Sequence, residues 1–286
     1  MSLYQEITDQ IIEQIESGTP PWRQPWTGSA TPSIPLRSTG EAYKGINVLL
    51  LWATAMKNGF KSQHWMTYKQ AKTLGGQVRK GEKSTTVIYY NVVEKNEDGK
   101  EVRIPFAKGY RVFNADQIDG LGEAFYIQPD PPRDLGTEPD AELDAFFEST
   151  GADIRVDDVP RAYYRPSEDY IHMPPISTFE SAPAYYGVLA HELIHWTGAE
   201  KRLDRLKKFS SKNEYAFEEL IAEIGNCMLC AEIGIPLHID QSAAYVESWL
   251  KVLKEDNRAI FKAASASQKA CEFLTDAQSS HQIAAE

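Results

Sequence analysis

The sequence lacks any apolar run near the ~20 residues that a helix needs to span a bilayer, so no membrane partner is expected. Its first residues, Met1-Ser-Leu-Tyr-Gln-Glu6, have no basic head followed by an apolar stretch, and no secretory signal is expected either. Cysteine is scarce. Cys227, Cys230 and Cys271 are too few for a disulfide scaffold, and the expectation is a chain of the reducing cytoplasm. There is no internal repeat. Excess basic charge is also missing: the formal net charge is -11, which taken alone argues against a nucleic-acid partner.

The distribution of charge argues differently. Residues 1–126 hold 15 Lys+Arg against 13 Asp+Glu, a balance of +2, while residues 127–286 hold 15 against 28, a balance of -13. Two halves with opposite electrostatics suggest two jobs. With 42% hydrophobic and 25% charged residues, the 286-residue chain has the composition to bury a sizeable core.

Ile7, Ile11 and Ile15 recur every four residues and predict a helix that Gly18 and the prolines at 20 and 21 stop. Trp22 and Trp26 follow in a Pro-rich loop expected to fold back on its domain. Helices are predicted over 47–57 and 67–74, and a strand over 85–94. A hairpin turn at 96–99 should lead to a return strand over 102–107, with a further strand at 110–113. Residues 128–139 are dense in Pro, Asp and Gly. This predicts a linker over 129–137, between a first domain at 1–128 and a second at 138–286. The second should hold a helix over 141–149, strands at 153–156 and 161–172, a helix from Pro183 to Gly198 capped by Ser181, and mostly helix from 213 onward.

His191-Glu-Leu-Ile-His195 carries the most chemical information. Spacing of four puts both imidazoles on one helix face, able to share one divalent ion, zinc or another such as manganese. Glu192 beside them is the expected general base for water polarised by the metal. A site of this kind needs a third protein ligand. Glu218, Glu219 and Glu223 on the following predicted helix are the candidates. Glu219 and Glu223 share a face, so Glu219 is expected as the ligand and Glu223 as the group that orients a ligating histidine; Glu218 points about 100° away from Glu219. The bland alternative for all three is a solvated acidic face. Cys227-x-x-Cys230 lies in an apolar stretch and reads as core thiols. His172 is a weaker candidate ligand, and His64, His238 and His281 have no ligand-like spacing. Any of Tyr163, Tyr164, Tyr170 and Tyr215 is a candidate to stabilise an oxyanion.

Residues 44–93 hold eight basic residues against one acid, Glu82, with aromatic rings interleaved. Basic side chains attract phosphates and exposed rings stack on unpaired bases, a combination suited to single strands. Lys44, Trp65, Tyr68, Lys69, Arg79, Lys80 and Lys83 are the expected DNA-binding residues. The alternative is core rings and merely solvated lysines.

These motifs together resemble the ArdC family of plasmid antirestriction proteins. The resemblance runs through Pro-Trp-Arg-Gln-Pro-Trp26, Tyr43-Lys-Gly-Ile-Asn47, Trp65-Met-Thr-Tyr-Lys-Gln70, the stretches 74–82 and 112–117, and then Met173-Pro-Pro, His191 to Gly198, Arg202-Leu203 and Glu218 to Glu223. It implies an α+β protein of two domains. The first would be a mixed α/β, single-stranded-DNA-binding domain similar to that of some conjugative-plasmid primases, and the second a zincin-like metallopeptidase domain. It implies a protein that protects incoming conjugative DNA from host restriction, with a host protein as a candidate substrate. Two rival readings stay open: a non-catalytic single-stranded-DNA-binding protein with a structural or vestigial metal site, and a nuclease. The nuclease is disfavoured because the basic half has no clustered carboxylates for two-metal chemistry.

Overall fold

A computed structural model describes residues 2–22, 33–97, 100–127, 134–206, 212–236 and 243–285, with backbone alone at 91–97, 100–106, 243–244 and 277–285. The chain is a mixed α/β protein that divides into two compact units, Pro35–Gln128 on the one hand and Met1–Ile34 with Pro129–Glu286 on the other. Residues 1–34, expected in the first domain, therefore pack with the C-terminal unit. The reason lies in α1 (Leu3–Glu16), whose Ile7, Ile11 and Ile15 are buried, and whose Thr8 hydroxyl donates to the carbonyl of Asn257 at 2.8 Å. Trp22 is buried and meets Trp249 edge to face at 6.0 Å, so the loop does fold back; Trp26 lies outside the described residues.

Within Pro35–Gln128, β1 (Leu36–Arg37), β2 (His64–Met66), β4 (Thr85–Glu97) and β5 (Lys100–Asn114) form one sheet in the order β1-β2-β5-β4. β3 (Gln77–Val78) pairs with β6 (Ile118–Asp119). α2 (Ile46–Asn58) is anchored to β4 through Asn47, whose side chain both accepts from the Ile88 N–H at 2.6 Å and donates to its carbonyl at 2.8 Å. Thr67 and Gln70 form a reciprocal cap on α3 (Tyr68–Thr73). The separate strands expected at 102–107 and 110–113 are one strand, β5, in which Gly109 keeps the ladder by pairing with Ile88. The expected turn at 96–99 falls partly outside the described residues.

The larger unit is built on helices. α4 (Ala141–Ser149) is capped by Asp140, and α5 (Ala182–Thr197) is capped by Ser181 as expected. α6 (Lys212–Ile233), α7 (Ala243–Glu255) and α8 (Ala259–Ala285) complete the bundle. Nearly all side chains of α6 from Glu218 to Ala231 are buried. Small residues Ala263, Ala264, Ser267, Ala270 and Cys271 let α8 lie close, and the Ser267 hydroxyl donates to the Ile221 carbonyl at 2.8 Å. Gly225 does the same toward α5: a Cβ there would stand 3.0 Å from Ile194 Cγ2. A small sheet of order β7-β9-β8 lies beside α5, formed by β7 (Asp153–Val156), β8 (Tyr163–Arg165) and β9 (Tyr170–Met173). The single strand expected over 161–172 is thus two, split by a turn at Pro166–Asp169 that the proline and the following polar residues favour. Residues 129–133 of the expected linker lie outside the described residues.

Candidate metal centre and nucleic-acid interface

α5 presents His191 and His195 on one face, their ring centroids 4.9 Å apart. The close approach at Gly225 brings α6 near enough for Glu219 to lie between them. Glu219 Oε2 is 3.6 Å from His191 Nε2, and Glu219 Oε1 is 3.5 Å from His195 Nε2. One donor atom from each of the three residues lies within 4.8 Å of the others. Zinc bonded at ordinary distances in a tetrahedral set has ligand atoms about 3.4 Å apart. The donor types and spacings therefore fit a divalent ion.

The other two glutamates flank this set. Glu218, Glu219 and Glu223 are 3%, 6% and 5% exposed, which excludes the solvated acidic face. Buried carboxylates must be paired. Glu223 Oε2 stands 3.9 Å from His191 Nδ1, beside the histidine it was expected to orient. Glu218, the weakest candidate for ligand, has a different role: its Oε1 accepts from His195 Nδ1 at 3.3 Å, and Arg205 grips both its oxygens at 3.0 and 3.2 Å. The Nδ1 bond leaves His195 Nε2 for a metal. Burial opposes charge on His195, but hydrogen bonds to Glu218 and Glu219 and the nearby Glu192 carboxylate outweigh it and push the imidazole up to about 10. Burial would raise the Glu219 carboxyl, yet the two histidines hold it far below the usual carboxylate range. Glu218 is lowered in the same way, by His195 and Arg205 against burial.

Glu192 Oε2 accepts from the backbone N–H of Tyr164 on β8 at 2.8 Å. Tyr215 sits one turn before Glu219, and burial together with hydrogen bonds to Glu219 and Tyr245 pushes its hydroxyl up. Tyr163 and Tyr170 pair their hydroxyls at 3.3 Å. His172 is not a ligand: Nδ1 is 2.6 Å from the Arg161 carbonyl and Nε2 is 2.8 Å from Asp157, so both ring nitrogens are in use. Cys227, Cys230 and Cys271 form no disulfide with one another and are buried, as core thiols are.

In the smaller unit the expected DNA-binding residues separate. Lys44, Lys69, Lys80 and Lys83 are exposed, and Tyr68 is 49% exposed. Trp65 is a correction: it is 1% exposed and packs edge to face on Phe60, so it is core and no base can stack on it. Arg79 is exposed, but its guanidinium holds Glu82 at 2.8 Å, Asp119 at 3.3 Å and the Asp116 carbonyl at 2.5 Å, tying β3 to the 116–119 segment. Tyr89, Tyr90 and Tyr110, outside the expected set, are 45%, 49% and 40% exposed. Tyr89 and Tyr110 meet edge to face at 5.9 Å across β4 and β5, with Lys108 Nζ 5.4 Å from the Tyr110 ring.

Two histidines one turn apart, a glutamate between them and a carboxylate from the next helix define a zincin-like metalloprotein, and residues 141–266 match the model of the zincin-like metallopeptidase family. Residues 1–113 match the N-terminal domain of anti-restriction factor ArdC. The chain belongs to the ArdC antirestriction family. It is similar to the crystal structures of the antirestriction ArdC protein from the R388 plasmid. The metal-free form shows 58% identity and a TM-score of 0.90, covering 98% of this chain and 99% of that one. The Mn(II)-bound form gives 58% and 0.86, with 97% and 98% covered. Uncharacterized protein y4eC of Sinorhizobium fredii is 38% identical over 98% of this chain and 94% of its own length. DNA primase TraC of Escherichia coli is 39% identical over 95% of this chain, which spans 27% of that primase.

Proposed function

We propose that the chain is an antirestriction protein whose smaller unit binds single-stranded DNA and whose larger unit hydrolyses peptide bonds, so that incoming conjugative DNA escapes host restriction. The functional division follows the two units, Pro35–Gln128 for DNA and Pro129–Glu286 with Met1–Ile34 for hydrolysis. The observation that carries the hydrolytic part is the meeting of His191, His195 and Glu219 donor atoms within 4.8 Å, with Glu192 on the same helix. His191, His195 and Glu219 would hold zinc, or manganese as in the R388 relative. The ion supplies Lewis-acid polarisation of a peptide carbonyl and makes water easier to deprotonate, toward a pKa of about 7. Glu192 takes the proton; the Tyr164 N–H holds its Oε2 and leaves Oε1 for that task. Glu218 and Glu223 keep the rings aimed.

The DNA-binding part is supported by exposed Tyr68, Tyr89 and Tyr110 and exposed Lys44, Lys69, Lys80, Lys83 and Lys108 on the same unit. Rings of that kind stack on unpaired bases of any sequence, and the lysines follow the backbone. Replacing Glu192→Ala tests the whole reading. Peptide cleavage should fall at least 100-fold and protection of DNA should be lost, with the metal still bound. A variant that protects DNA as well as the parent would leave only the DNA-binding protein.

A further inference from the structure

Arg202 lies in the loop that follows α5 and is 6% exposed at its side chain. A buried guanidinium must find partners for its donors. Its Nε donates to the Trp196 carbonyl at 2.6 Å and its plane lies 3.8 Å from the Trp196 ring centre, one residue beyond His195. Its other nitrogens hold both oxygens of Asp169 and the Tyr164 hydroxyl, the last at 3.1 Å. Tyr164 in turn donates its hydroxyl to Asp169 Oδ1 at 2.7 Å. Asp169 closes the β8–β9 turn with φ 55, a left-handed conformation that Asp tolerates better than most side chains. This shape turns its carboxylate back toward Arg202 and Lys201.

The far end of the network is Glu192. β8 is three residues long and forms the outer strand of its sheet, so it has little of its own to fix it. Tyr164 pairs with Ile171 across the ladder, and its N–H points away to Glu192. A displacement of about 1 Å at a reacting group can cost on the order of 100-fold in rate. We propose that Arg202 and Asp169 are positioning residues for Glu192: they pin the Tyr164 side chain, and the Tyr164 N–H thereby aims the carboxylate. Arg205, three residues on in the same loop, acts on His195 through Glu218 instead. The two arginines divide the work, one serving the base and the other a metal ligand.

The proposal rests on the hydrolytic reading but has a test that survives its loss. Zinc-loaded full-length protein would be compared with Arg202→Lys, Asp169→Asn and Tyr164→Phe. Measured would be amide exchange at Tyr164 and at Ile171, zinc affinity by chelator competition, and kcat and KM on a fluorogenic peptide library. Tyr164 should exchange at least tenfold faster in each variant, with Ile171 and zinc affinity within twofold of the parent; kcat should fall at least tenfold and KM stay. Unchanged Tyr164 exchange in Arg202→Lys and Asp169→Asn overturns the proposal. So does zinc affinity falling in step with exchange, or faster exchange with unaltered kcat. A parent that cleaves no peptide sinks the hydrolytic reading, and exchange with affinity then decides for or against the anchor.

Discussion

At the scale of single residues, the metal centre is a problem in proton bookkeeping. His195 holds its proton up to about 10 because Glu218 and Glu219 outweigh the effect of burial. A divalent ion must displace that proton to reach Nε2. The sign follows directly: as pH falls below about 10, more of the histidine is protonated and metal affinity drops, by up to about tenfold per pH unit. Calorimetry in two buffers of different ionisation enthalpy should show about one proton released per zinc bound near pH 7.5. Glu218→Gln removes one carboxylate from Nδ1 and should lower that number. Zinc binding without proton release would refute the assignment of His195 as a ligand. His191, Glu192 and His195 were legible as a motif from spacing, whereas the choice of Glu219 over Glu223 was not, because both lie on one helix face. The work of Glu218 was not, because its partner Arg205 lies 13 positions away in a loop that no periodicity marks. Trp65 misled for a related reason: its place among lysines says nothing about which way the ring points.

At the scale of elements, the centre depends on how closely α5 and α6 approach. Gly225 faces Ile194, which is fully buried and has nowhere to retreat. Gly225→Ala should cost about 1–3 kcal/mol by overpacking. It should also push Glu219 off the histidines, which a chelator-competition assay would read as weaker zinc binding. Equal affinity in that variant would show that the helices can part without disturbing the ligands. The hairpin of β4 and β5 offers the matching test for the smaller unit. Tyr89→Ala and Tyr110→Ala should each weaken single-stranded DNA binding by about 1–3 kcal/mol, the value of one stacked base. The loss should persist at high salt, whereas removing Lys80 and Lys83 should flatten the salt dependence. Fluorescence titration at several salt concentrations separates the two. The start of α5 was legible from the capping chemistry of Ser181, and Asp140 and Thr67 cap their helices in the same way. Strand continuity was harder. The strands expected at 102–107 and 110–113 join through Gly109, a ladder residue, while the strand expected over 161–172 is interrupted by the turn that Pro166 opens.

At the scale of the whole chain, the charge asymmetry between the halves was legible from composition, and the two matching families divide it in the same sense. The placement of α1 was not legible. Its apolar stripe says that it packs, but only tertiary structure shows that the surface it meets belongs to residues more than 200 positions later, at Asn257 and Phe261. A first-domain fragment cut at residue 128 would carry this helix away from its partner, whereas residues 35–128 cluster on their own.

α6 carries three acids into a region sealed from water on nearly every side, and each one arrives with a basic neighbour drawn from the chain itself. The protonated imidazole and the guanidinium of Arg205 are resident counter-ions. Two of those negative charges are therefore offset before a metal arrives. Treating the protein with a strong chelator should leave its far-ultraviolet dichroism intact and shift its melting temperature by only a few degrees. A collapse to the unfolded state would mean that the ion is an architectural member. Folding first and loading afterwards would let a newly made chain reach its final shape before it has found its metal.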